Sequence, residues 1–140
     1  MAIAVCEYCG CRRVPEIARL GAEHDVIDGV IAEVRKADPE EIAPLLDRLA
    51  TLLRPHVERE EEGLFAEARS AGLGSYFVDD LEDDHRRFAA ALEHREDLRG
   101  APLERLLDDL DHHIAIEEYD LFPACSETLR DEHWQAIEAL

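Results

Sequence analysis

Apolar residues recur along this chain at steps of three and four, the period of a helix that buries one face. From Pro15 to about Ala37 the row is Ile17, Leu20, Ile27, Ile31 and Val34, with His24 filling its one long gap. Pro15 suits a first helical turn, where its missing N–H costs nothing. "ADPEE" at 37–41 predicts a restart, with Asp38 as N-cap, Pro39 at the first helical position and Glu41 completing a capping-box pattern. The second stripe carries Ile42, Leu45, Leu49, Leu52, His56, Glu60 and Leu64, and Pro55 is expected to kink it or loosen one hydrogen bond just before His56. "SAGLGS" at 70–75 predicts a loop. A third stripe follows with Phe77, Leu81, His85, Phe88, Leu92 and Arg95, ended by "RGAP" at 99–102. The fourth runs through Leu103, Leu106, Leu110, His113, Glu117 and Leu121 and is closed by Pro123. A tail helix from about Asp131 to Leu140 offers Trp134 and Ile137 to one end of the assembly.

Four long helices with short connections predict an all-α fold, an up-down-up-down four-helix bundle over residues 15–125. Residues 1–14 form a Cys-rich N-terminal segment, and 126–140 a short C-terminal helix packed on the bundle. The pattern also repeats itself. "HVEREEEGLF" at 56–65 and "HIAIEEYDLF" at 113–122 match at a constant offset of 57. Leu20 and His24 on the first stripe correspond to Leu81 and His85 on the third. One helical hairpin used twice would place two equivalent sets of side chains about a pseudo-twofold axis.

The repeated residues carry chemistry. A single histidine on an apolar stripe is usually a satisfied core residue, but here every long helix has one, and two have a glutamate one turn later. Residues four apart share a helix face, so His56 with Glu60 and His113 with Glu117 each present imidazole and carboxylate to one point. Six buried ionisable groups are very costly unless paired. Metal ions resolve this, and the expected ligands are His24, His56, Glu60, His85, His113 and Glu117. Imidazole plus carboxylate without thiolate suits iron, manganese or zinc. In the simplest arrangement two ions each take two histidines, and Glu60 and Glu117 bridge them. Each ion then keeps positions for water, dioxygen, peroxide or nitric oxide.

Neighbouring residues divide into readings. His112 points about 100° away from His113 around the helix and falls off the row. His94 and His133 have no partner motif and read as surface residues. Glu61 and Glu118 either accept hydrogen bonds from ligand imidazoles or sit solvated on the helix face, the latter being favoured. Tyr119 lies either at the core rim or along the site.

Charge narrows the partners. With 34 acidic residues against 15 basic ones the net charge is -19, which repels nucleic acid and anionic membrane and favours cations. No apolar run approaches the roughly 18 residues that span a bilayer, so a cytoplasmic protein is the expectation. The sequence identifies no protein partner. Cys6, Cys9 and Cys11 form a Cys-x-x-Cys-x-Cys head, and Cys125 stands apart. In an intracellular chain this suggests a zinc or redox site more than a structural disulfide. Cys11 precedes His24 by 13 residues and Cys125 follows His113 by 12, which puts both roughly 18 Å from the histidine level at one end of the bundle.

The order His, His-x-x-x-Glu, His, His-x-x-x-Glu followed by "LFP" resembles the hemerythrin-like (HHE cation-binding) family over roughly residues 15–125. The resemblance implies a four-helix bundle around a non-haem di-iron centre, with the same six residues as ligands. It also implies a role with dioxygen, peroxide or nitric oxide, catalase-like peroxide decomposition included, or an iron-dependent regulatory, storage or repair role without turnover. The oxygen-carrying members have a second histidine on the third helix where this chain has Ala89. They have an aspartate where it has Glu118. Those departures weigh against reversible oxygen carriage and toward sensing or peroxide and nitric oxide handling.

Overall fold

The computed structural model describes residues 13–140 of the chain, and among these every regular element is helical. Helix α1 spans Pro15–Lys36, its proline in the first turn. Helix α2 spans Pro39–Arg59, preceded by Asp38, whose backbone N–H donates to Glu41 Oε1 at 3.3 Å. It carries Pro44 and Pro55 internally and runs on without a break past His56 into a wide π-helical segment, Glu60–Phe65, and then α3, Ala66–Ser70. After a turn at Gly72, held at a φ of 89° that favours glycine, a second wide segment, Gly74–Val78, leads into α4, Asp79–Glu93. Helix α5, Gly100–Ile116, continues through a third wide segment, Glu117–Leu121, into α6, Phe122–Thr128. Helix α7, Asp131–Glu138, closes the chain.

The result is four long rods, 15–36, 39–70, 74–93 and 100–128, plus a short helix. Helix α1 packs on α2 and α5, and α4 packs on the same two. That closes a helical bundle. Its core is two apolar clusters, not one. The first gathers Ile27, Ile31, Leu46, Leu49, Phe88, Leu107 and Leu110. The second gathers Ile17, Leu20, Leu64, Phe65, Leu81, Phe122 and Ile137, with Trp134 packed against it. Between them lies a polar layer of buried His24, His56, Glu60, His85, His113 and Glu117.

Three local expectations change. Pro123 does not end the fourth rod; it sits in the first turn of α6, just past a wide segment, where a missing N–H is tolerated. The helix therefore continues across residue 125. Arg95 falls in a separate short 3₁₀ turn, Arg95–Asp97, and its Nε donates to Asp47 at 2.6 Å instead of extending the third stripe. On the third rod the fully buried residue is Val78 rather than the half-buried Phe77, because the wide segment shifts which residue faces inward.

Candidate metal centre

The polar layer is built from four rods by one rule. His24 comes from α1, His56 from α2, His85 from α4 and His113 from α5, each on the inward stripe its periodicity marks. Glu60 and Glu117 each open a wide π-helical segment. Such segments insert an extra residue into a helical turn and concentrate at functional sites. Here the extra residue lets consecutive side chains share the inward side: Leu64 with Phe65, Glu117 with Glu118 and Leu121 with Phe122 are all buried. The repeated Leu-Phe ending now has a purpose. Phe65 stacks on His85 with centroids 5.4 Å apart, and Phe122 stacks on His24 at 5.7 Å.

Three of the four imidazoles are held by a carboxylate at the outer nitrogen, and the fourth has one close by. His56 Nδ1–H donates to Glu23 at 2.7 Å, and His85 Nδ1–H to Glu61 at 2.7 Å. His113 Nδ1–H donates to Asp84 at 2.9 Å. His24 Nδ1 lies 3.6 Å from a Glu118 oxygen. The pairs obey the duplication, since Glu23 with His56 maps onto Asp84 with His113, and Glu61 with His85 onto Glu118 with His24. Fixing Nδ1 outward leaves all four Nε2 atoms facing inward, the arrangement in which carboxylates orient histidines for a metal and raise their basicity.

At the centre the donors converge. Nε2 of His56 is 3.1 Å from Glu60, that of His85 is 3.3 Å from the same oxygen, and those of His24 and His113 are each 3.1 Å from Glu117. Close as they are, both oxygens of Glu60 and of Glu117 and both nitrogens of His24 lack hydrogen-bond geometry. The two glutamates and His24 are left without hydrogen-bond partners of their own, while His85 Nε2 and His113 Nε2 lie 3.1 Å apart. Two sets of four donors result, each within 4.8 Å: His24, His56, Glu60 and Glu117, then Glu60, His85, His113 and Glu117. The residues present fit two cations, because orphaned buried carboxylate oxygens facing neutralisable imidazoles are what a divalent ion satisfies.

Without a cation, protons fill the role. Burial opposes the charged imidazole, yet the carboxylates win. Glu117, Glu118 and Glu60 carry His24 up to about 9. Glu60, Glu23 and Glu117 carry His56 to about 10. Glu117, Asp84 and Glu60 carry His113 to about 10. Burial pushes the Glu117 carboxyl up, but the imidazoles of His113 and His24 and its contact with Glu60 hold it well below its usual range. A void of about 10 Å³, room for about one water-sized molecule, adjoins the layer; it is bounded by the four histidines, Glu117, Leu53, Phe88 and Ile114.

The remaining sequence-marked residues sort clearly. Glu118, favoured above as a solvated charge, is buried against His24, because the wide segment turns it inward together with Glu117. Glu61 is half-buried and holds His85. Tyr119 is 44% exposed, turned toward solvent. His112 is exposed, and so is His94. His133 is half-buried, and its Nδ1 accepts from the Arg130 N–H at 3.0 Å at the start of α7. Cys125 is fully buried in the second apolar cluster, unpaired among the described residues, and burial pushes its thiol up to about 12. Cys6, Cys9 and Cys11 lie outside the described residues. The stripe pattern does not mark Glu23 and Asp84. Their available signal is the duplication, since each immediately precedes the histidine of an odd-numbered rod.

Residues 11–68 match the family model of the Hemerythrin HHE cation binding domain. That segment is similar to a hemerythrin-like domain. The matched segment carries His24, His56 and Glu60, and the internal duplication repeats the same pattern at His85, His113 and Glu117, beyond the matched residues. Comparison with curated proteins and with solved structures gives no match.

Proposed function

We propose that this protein is a hemerythrin-like, up-down-up-down bundle holding two iron ions, His24 and His56 on one, His85 and His113 on the other, with Glu60 and Glu117 bridging. The observation that carries this reading is the pair of four-donor sets that share both glutamates. Manganese or zinc fits the same donors. The ions supply Lewis-acid and redox chemistry when bound. The protein's part is to hold four Nε2 atoms inward through carboxylates on Nδ1, and to keep a small, largely apolar void beside them. A void this small and apolar favours small uncharged ligands over bulky or charged ones, so the proposed role is redox sensing or detoxification of peroxide or nitric oxide in the cytoplasm. With no second histidine at Ala89, reversible oxygen carriage is disfavoured.

The test is metal content with an optical spectrum under air. Two iron ions per chain with near-ultraviolet absorption of an oxo-bridged diferric pair support the proposal; a protein that retains no more than traces of metal overturns it. Turnover is then read from peroxide decomposition by the iron-loaded form. A second reading, an iron-dependent regulatory module, draws on the position of the layer between two apolar clusters, where loss of the ions leaves buried charge in the middle of the core. Large-scale unfolding on chelation without peroxide turnover selects it.

A further inference from the structure

Outside the polar layer, the seam between α2 and α4 opens into a cleft of about 650 Å³. Its size falls in the ordinary range of small-molecule sites, about 300–1,000 Å³. Ala50, Leu53, Val57, Phe88, Ala89 and Leu92 provide apolar walls, and His85 lies among the lining residues. Leu53, Val57, His85 and Phe88 also bound the small void at the centre. Cleft and void are thus separated by a single layer of side chains. The rim carries Arg54 and Arg95, but Arg54 faces Glu58 at 3.6 Å and Arg95 is paired with Asp47 at 2.6 Å. The rim is charge-balanced in a chain of net charge -19, which favours a neutral occupant.

We infer that this cleft binds the body of a small neutral organic hydroperoxide and admits its peroxide end past Leu53 and Phe88 to the His85 side of the centre. The inference rests on the peroxide reading proposed above and narrows its substrate class. An apolar body suits the walls, while a polar head is the part that reaches imidazole and metal. Ala89 sets the size of the occupant. It lies on the cleft wall with no side chain beyond Cβ, and it is exposed enough to be enlarged without disturbing the core.

Two measurements test this. Cumyl alcohol, the unreactive alcohol matching cumene hydroperoxide, is titrated into metal-free and zinc-loaded protein while the methyl resonances of Leu53, Val57, Ala89 and Leu92 are followed. Saturable shifts are expected, weakened about tenfold or more by Ala89→Phe and also by Ala50→Leu, which fills the opposite wall. Shifts that do not saturate, or that survive both substitutions at unchanged affinity, overturn the inference. In the second measurement, ferrous-loaded protein is mixed with cumene hydroperoxide or hydrogen peroxide. Each peroxide takes two electrons from the ferrous pair and two protons from solvent, giving alcohol and water or two waters. Ala89→Phe is expected to slow oxidation by cumene hydroperoxide about tenfold or more while leaving hydrogen peroxide within about twofold. Equal slowing of both, or of neither, overturns the inference. If native protein is oxidised by neither peroxide, the proposed peroxide function falls, and the alcohol titration still decides whether the cleft is a binding site.

Discussion

The two seams that flank the polar layer differ where the duplication would make them alike. On the α1–α5 side Arg35 reaches across to Asp108 at 2.9 Å and Asp111 at 2.8 Å, and the buried carboxylate of Asp28 sits one turn beyond His24. On the α2–α4 side the position equivalent to Asp28 is Ala89, and the seam is a cleft. Glu118, which holds the histidine of the first seam, is buried; Glu61, its equivalent, is half-exposed. The lesson is a division of labour. The duplicated halves share their inward donors, as two candidate cation sites with common glutamates require, while their outer surfaces differ, one sealed and one open.

The largest effect expected concerns what the halves share. Glu60→Ala and Glu117→Ala each remove a donor common to both four-donor sets, so metal analysis should find both ions lost, whereas His24→Ala or His113→Ala should cost one. Retention of two ions in Glu60→Ala would break the picture of a shared bridge. Chelation comes next. Because ligands bound only to the folded state stabilise it, removing ions held at about 1,000 times their dissociation constant should lower unfolding free energy by about 4 kcal/mol for each ion, read from denaturant midpoints.

Smaller effects sharpen the contrast between seams. Glu118→Gln should weaken metal affinity about 10- to 100-fold, the usual range for a carboxylate that orients a ligand histidine. Glu61→Gln should cost less, because the Glu61 side chain is 36% exposed and that of Glu118 only 4%. Competition with a chromophoric chelator measures both, and equal losses would erase the distinction. Arg35→Ala should cost about 1 kcal/mol or less, diminishing in high salt, since its partners are largely exposed. Last is Cys125. Its folded-state value of about 12 lies above the ordinary thiol value of 9.0, so its burial stabilises fully below pH 9 and progressively less as pH rises toward 12. The difference in denaturation midpoint between the native chain and Cys125→Ala should therefore shrink between pH 8 and pH 11.

Much of this was legible along the chain, and the reason is periodicity. The inward row of α1, from Ile17 through His24 to Val34, is set by a 3.6-residue repeat that neighbours cannot alter, and the structure buries every member. The 57-residue repeat marked Glu60 and Glu117 as equivalent. The wide segments were not legible: "EEEGLF" and "EEYDL" read as ordinary α-helix, since a π-helical turn is selected by what its residues pack against. Glu118 reads as solvent-facing for that reason. Its exposure on a regular helix becomes burial once the turn widens. Pro123, likewise, reads as a stop only if the preceding turn is regular.

By itself, then, the sequence determined which residues face inward and which donors recur, because helical phase and duplication are local and countable. Tertiary structure decided how those donors are aimed. Glu23 reaches His56, Asp84 reaches His113 and Glu61 reaches His85 across rods, over separations of 24 to 33 residues. It decided as well that one seam is clamped and the other open. No periodicity encodes these choices, since each depends on the angle and spacing at which two separate helices meet.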